Sequence, residues 1–163
     1  MQENAELVAS YREQRVALVK MFEMLTEEQA RRVLVPSGWS PLDLAYHVGT
    51  GLRYWVDAIM RGVEVEFDID DPAGSWAWAT PEGGTLARAV DRYLERSQAA
   101  EEFIIEAPLD MVPARQPVWT FVRHWSTSLR TVVVHLIDET ARHAGHMDIV
   151  CELLLAEPQQ TVR

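Results

Sequence analysis

The sequence predicts an all-α fold, a four-helix bundle with long crossover connections. Three observations predict it. Apolar residues recur at helical spacing in four stretches, residues 3–25, 41–61, 85–107 and 128–156. Two long connections, residues 62–84 and 109–127, lack that spacing and contain Pro and Trp. The sequence does not alternate between strand and helix patterns, so a parallel sheet is not expected.

A Pro-Gly break separates the first two predicted helices. Thr26 follows the first helix and can cap a further turn, which ends before the break at residues 35–38. Ser40 then opens the second helix as its N-cap. A proline occupies the first helical position, and Asp43 stands where a capping-box acid belongs. We expect this helix to end near residue 61.

The third predicted helix follows a long irregular crossover. Residues 64–72 alternate briefly like a strand, and Trp76 and Trp78 could cover a pocket, although loop aromatics more often pin a loop to the bundle. Thr85 opens the third helix, which ends near residue 107. Its charged residues, Glu101 among them, are expected to face solvent.

The last predicted helix carries three of the five histidines. At about 100° per residue, four titratable side chains share one narrow stripe with buried-type apolar residues between them. These four are His135, Glu139, His143 and His146. The stripe is therefore expected to face the core, whereas Cys151 lies off it and is read as a packed structural thiol.

Burying the Glu139 carboxylate requires a compensating partner. A divalent cation is the simplest one, and a hydrogen-bonded His/Glu network is the alternative. One helix cannot surround an ion, so a further ligand is needed. His47 lies on the core-facing stripe of the second helix and is favoured over His124, which lies in a connection. Spacing alone leaves three donor pairs open: His135/Glu139, Glu139/His143 and His143/His146.

Two imidazoles and one carboxylate would leave open positions on the ion, as catalytic metal sites do. These donors suit zinc, iron, nickel or manganese. The sequence contains no His-Glu-x-x-His, glycine-rich phosphate loop or nucleophile elbow. A serine or cysteine hydrolase therefore has no supporting motif.

Length, composition and net charge limit the number of domains and the kinds of partner to expect. The 163 residues, 48% of them hydrophobic, fit a single helical bundle domain over residues 1–163. A net charge of −10 without a basic cluster argues against nucleic-acid or anionic-membrane partners. No apolar run reaches the length of a membrane span, and no leader pattern is present, so we expect a cytoplasmic protein.

Small residues on the last helix suggest self-association. Ala141, Ala144 and Gly145 lie together on the face away from the histidines, and small side chains permit close helix approach. We expect a homodimer. The alternative is ordinary packing of this face against the first helix.

Two segments, residues 38–48 and 135–148, resemble the DinB/YfiT-like family of four-helix metal-binding proteins. The resemblance is strongest to its actinobacterial branch, which includes mycothiol-dependent enzymes such as maleylpyruvate isomerase. It covers nearly the whole chain in helix order. It implies that His47, Glu139 and His143 are the metal ligands. His146 would then be a catalytic proton-transfer or supporting group.

The resemblance also implies a function. It indicates a metal-dependent thiol S-transferase or isomerase that uses mycothiol or a similar low-molecular-weight thiol on a small electrophile, with zinc the expected ion. The alternatives are a metal-dependent hydrolase and a non-catalytic metal-bound binding or stress-response protein. Arg53 and Arg142 could hold a substrate carboxylate, but both are expected nearer the outer face.

Overall fold

Four long helical rods pack around one apolar core in the computed structural model, which describes residues 2–65 and 80–156. The elements in order are α1 (Gln2–Glu23), α2 (Glu27–Ala30), α3 (Pro41–Leu52), a π-helical continuation of α3 (Arg53–Met60), α4 (Leu86–Glu106), a 3-10 helix (Thr120–Trp125) and α5 (Leu129–Leu155). The described residues contain no strand. The all-α bundle prediction is confirmed, while Trp76, Trp78 and most of the predicted strand lie outside the described residues.

Side-chain caps fix where the helices begin. The Ser40 hydroxyl accepts a hydrogen bond from the backbone N–H of Asp43 at 3.2 Å. The backbone N–H of Ser40 donates to the Asp43 carboxylate at 2.9 Å, which completes the predicted capping box. Ser128 forms a capping box with Thr131 at the start of α5, whereas the Thr85 hydroxyl caps α4 by accepting from the backbone N–H of Arg88 alone. The start of α3 sets the position of every residue along it, including His47.

α3 does not stop at Leu52 but continues in π-helical geometry to Met60. Its last turn closes with the backbone N–H of Arg61 donating to the carbonyl of Val56 at 3.0 Å. Short π-helical stretches are frequent at functional sites because they re-aim side chains. Here the stretch carries Tyr54 and Trp55, both buried.

The core lies between two closely packed helix pairs, α1 with α5 and α3 with α4. Its largest fully buried side chains include Tyr11, Phe22 and Tyr93. Cys151 is buried on α5 and donates to the backbone carbonyl of Met21 on α1, at 3.6 Å. The prediction of a packed thiol is confirmed.

The connection between α4 and α5 is tied to the bundle by backbone hydrogen bonds. The N–H groups of Ala114 and Arg115 donate to the carbonyls at the end of the π-helical segment, at 3.3 and 3.0 Å. The N–H groups of Leu129 and Arg130 donate back to the connection at 2.9 Å each. Its 3-10 helix is therefore held beside the end of α3 and the start of α5.

Glu101 contradicts the expectation that the charged residues of α4 face solvent. Its side chain is buried, and its carboxylate pairs with Arg12 at 2.6 Å and with Arg15 at 2.8 Å, both on α1. A helical wheel of α4 cannot reveal this, because the partners come from a helix some 90 residues away.

The surface features that bear on partners are few. In the described part of the chain, no helix is long and apolar enough to cross a bilayer. Ala144 is buried within this one chain, whereas Gly145 is exposed with open space around it. The homodimer stays a prediction.

Candidate metal centre

Three donor atoms converge where α3 faces α5. His47 Nε2 lies 3.3 Å from Glu139 Oε1, and His143 Nε2 lies 2.9 Å from the same oxygen. One ligand atom from each residue lies within 4.8 Å of the other two. The structure therefore brings together the three residues named as ligands from the sequence. Their binding of a metal stays a prediction.

Local sequence explains the convergence. Glu139 and His143 are four residues apart in α5, so they stack on one face of that helix. His47 lies about two turns after the capped start of α3 and points toward the same face. The His47 and His143 rings meet edge to face, with centroids 4.9 Å apart.

The surroundings of the candidate metal centre keep the Glu139 carboxylate ionised and the His143 imidazole neutral. Burial by itself raises the pKa of Glu139, but hydrogen bonds with His143 and His47 outweigh it, so its pKa lies well below the ordinary glutamate value. Burial lowers the pKa of His143, although the contact with Glu139 opposes that shift. An ionised carboxylate beside a neutral imidazole is the protonation state that a divalent cation requires.

Arg142 engages the outer oxygen of Glu139. Its guanidinium donates to Glu139 Oε2 at 3.0 Å and to Asp138 at 2.8 Å, and its side chain is 51% exposed. Glu139 Oε1 is thus left to face the two imidazoles. The sequence placed Arg142 near the outer face, which the exposure confirms, but did not anticipate its contact with Glu139.

His146 lies outside the convergence point, on the far side of His143. The Nδ1 atoms of the two rings are 3.4 Å apart. The expectation that His146 faces the core was wrong, since its side chain is exposed. The cause is the start of α3: His146 lies beside Trp39, which precedes the N-cap Ser40, so α3 itself does not extend over it.

A cavity of about 360 Å³ opens beside Glu139, and we call it the aromatic cavity. His47 and Glu139 form part of its wall. The described aromatic side chains that line it are Tyr54, Trp55, Tyr93, Trp119, Phe121 and Trp125. The candidate metal centre therefore has an apolar chamber beside it.

His135 lies in the wall of the aromatic cavity and is buried, as predicted for the core-facing stripe of the last helix. Its ring stacks on Trp125, with centroids 4.2 Å apart and planes 10° apart. Trp55 meets it edge-on at 4.8 Å. Burial lowers the pKa of His135, so its ring is neutral near neutral pH. His124 is exposed on the 3-10 helix and does not belong to the triad.

Sequence reasoning missed most of the cavity wall. Tryptophans were noted in the connection over residues 109–127, but no role in a site was predicted for Trp119, Trp125 or Trp55. A signal was available: a Trp-rich connection that runs directly into the histidine-bearing helix places its aromatics near the first turns of that helix. The π-helical turn that aims Tyr54 and Trp55 had no comparable signal.

A family model described as Mycothiol-S-transferase matches residues 6–155. The matched region begins in α1, ends with the last residue of α5 and includes all three triad residues. No curated protein sequence matches the chain significantly.

Proposed function

Because the chain belongs to the mycothiol-S-transferase family, we propose that it joins mycothiol, or a similar low-molecular-weight thiol, to a small electrophile. We further propose that His47, Glu139 and His143 hold the divalent metal ion that this reaction uses. The observation that carries the proposal is the approach of two imidazole nitrogens and one carboxylate oxygen to within 4.8 Å, beside a cavity that His47 and Glu139 help to line. We expect the protein to work in the cytoplasm.

The donor set fits a resident ion. Two imidazoles and one carboxylate suit zinc, which we expect, and also nickel, iron or manganese. Three protein ligands leave a coordination position for a substrate. When bound, such an ion lowers the pKa of a coordinated thiol and so supplies a thiolate near neutral pH.

The chain's own residues have distinct roles in this proposal. Glu139 is held ionised by its contacts with His143 and His47, and Arg142 occupies its second oxygen. His146 lies against the outer nitrogen of His143, so it can orient that ring, and it is exposed to solvent. The aromatic cavity places apolar side chains beside His47 and Glu139, so a substrate that fills it would displace water from the neighbourhood of these donors.

The reaction balances without an oxidant. A carbon–sulfur bond forms between the thiol sulfur and the electrophilic carbon. In a substitution the leaving group departs with its electron pair and the thiol proton goes to solvent. In an addition to an activated double bond the proton ends on the neighbouring carbon.

The test compares three proteins incubated with the same excess of zinc: the wild type, His143→Ala and His124→Ala. The control removes an exposed histidine that is not in the triad. We expect conjugation of mycothiol to a fluorogenic electrophile in the wild type and in His124→Ala, and none above background in His143→Ala. Adding mycothiol to the cobalt-loaded wild type should also produce a sulfur-to-metal charge-transfer band.

Other outcomes would redirect the proposal. Turnover of simple esters without added thiol would replace it with a metal-dependent hydrolase. Binding of metal and thiol without turnover of any electrophile would replace it with a non-catalytic binding protein. Equal conjugation by His143→Ala and the wild type would overturn the ligand assignment.

A further inference from the structure

The aromatic cavity has the shape and chemistry of a binding site for flat molecules. Its wall presents ring faces and edges from three different parts of the chain: the π-helical end of α3, the α4–α5 connection and α4. Tyr54 and Trp119 lie with ring centroids 5.7 Å apart, and Trp55 and Trp125 lie 6.3 Å apart. Aromatic rings stack preferentially on other flat, conjugated groups.

His135 supplies a polar group within this apolar wall. Among the residues that the structure describes, the His135 ring contacts the rings of Trp55 and Trp125 and forms no hydrogen bond. The stack on Trp125 fixes the orientation of the ring. A neutral imidazole offers one N–H donor and one acceptor nitrogen, so a ligand in the cavity can hydrogen-bond to it.

Size and position indicate which substrate the cavity holds. A volume of about 360 Å³ is near the lower end for ligand pockets and suits one or two fused rings. Most of the lining surface is apolar, so it would leave many hydroxyl groups of a sugar-containing thiol without hydrogen bonds. Glu139 and His47 stand in the same wall, so a ligand in the cavity lies beside the candidate metal centre.

We propose that the aromatic cavity binds the electrophile, and that it selects flat aromatic or conjugated electrophiles bearing a polar group that hydrogen-bonds to His135. The identification of the ligand as an electrophile rests on the proposed thiol-transfer function. Binding of a flat ligand in the cavity does not require thiol transfer. Phe121 lies at the edge of the cavity, 71% exposed, where it can cover one face of the bound ring.

Binding is measured by calorimetry on the metal-loaded protein without thiol, using unreactive probes. Dinitrobenzene is flat and polar, nitrocyclohexane has a similar size but is not flat, and naphthalene is flat but lacks a hydrogen-bonding group. We expect dinitrobenzene to bind more tightly than either of the others. Equal affinities for dinitrobenzene and nitrocyclohexane would overturn the proposal.

Two variants locate the site. Phe121→Ala should weaken dinitrobenzene binding about two- to twelvefold, the range for loss of one aromatic contact. Its matched control is Val112→Ala in the same connection, also 71% exposed but not in the cavity wall, and it should change nothing. Equal effects of the two variants would contradict the assignment of the site.

His135→Phe preserves a ring between Trp55 and Trp125 but removes the nitrogen atoms. It should weaken dinitrobenzene binding while leaving naphthalene binding within about twofold of the wild type. Equal losses for both probes would overturn the role of His135. A circular dichroism spectrum matching the wild type would show that each variant folds.

Kinetics separates the two proposals. The wild type should conjugate thiol to chlorodinitrobenzene with a higher kcat/KM than to iodoacetamide, relative to the uncatalysed rates, and Phe121→Ala should reduce that preference. Thiol transfer without any aromatic preference would overturn the cavity proposal and leave the function intact. If the probes bind as expected but no electrophile is conjugated, the proposed thiol-transfer function is overturned. The cavity would then bind flat ligands that are not electrophilic substrates.

Discussion

Replacing His146 with alanine removes the side chain that lies against the outer nitrogen of His143. If His143 uses Nε2 to hold an ion, its Nδ1 carries the proton and donates to His146 Nδ1 across 3.4 Å. Loss of such a supporting partner typically weakens metal binding 10- to 100-fold. The 3.4 Å separation exceeds the usual hydrogen-bond range, and His146 is exposed. We therefore expect the low end, about tenfold.

The affinity is measured by competition between the protein and a chromophoric chelator for zinc or cobalt. His124→Ala, which removes another exposed histidine, is the matched control and should bind metal as the wild type does. His146→Asn places an amide oxygen near the position of Nδ1 and should recover most of the lost affinity. If His146→Ala binds metal as tightly as His124→Ala, the supporting role is refuted.

The asparagine variant also separates orientation from proton transfer. Asparagine accepts a hydrogen bond but does not take up a proton. If His146 passes the thiol proton to solvent, His146→Asn should bind metal normally and yet turn over more slowly than the wild type. Normal turnover by this variant would leave His146 with an orienting role alone.

Three further predictions concern stability. Glu101→Gln leaves the largely covered Arg15, whose side chain is 14% exposed, without its carboxylate and should lower the free energy of unfolding by about 3 kcal/mol. Urea denaturation should show this, with no more than about 0.5 kcal/mol for the exposed Glu95→Gln control; equal losses would refute it. Ser40→Ala removes the α3 cap and should cost about 1 kcal/mol in the same assay, and an unchanged value would contradict the capping role. Burial lowers the pKa of His135 below the ordinary 6.5, so it stays neutral when folded but gains a proton when unfolded. The wild type should lose stability relative to His135→Phe as the pH falls below about 6.5, and a pH-independent difference would count against this.

Local signals in the sequence predicted what local forces determine. Ser40 and Asp43 are three residues apart, and their mutual hydrogen bonds depend only on that spacing. The stacking of Glu139 and His143 follows from their separation of four residues. Spacing could not choose among three donor pairs on α5, however, and family resemblance was needed to select this one.

What the sequence did not reveal depends on neighbours distant in the chain. Glu101 is buried because α1 supplies two arginines. His146 is exposed because α3 begins too late to cover it. The aromatic cavity forms where the π-helical end of α3 lies beside the α4–α5 connection. The spacing of apolar residues in either segment does not predict that these two segments are in contact.

The most direct test of the metal centre is elemental analysis of the protein purified without added metal. The wild type should carry about one divalent ion per chain, and Glu139→Ala and His143→Ala should each carry almost none. Stoichiometric metal in both variants, or none in the wild type even after incubation with zinc, nickel, iron or manganese, would contradict the proposal that His47, Glu139 and His143 hold an ion.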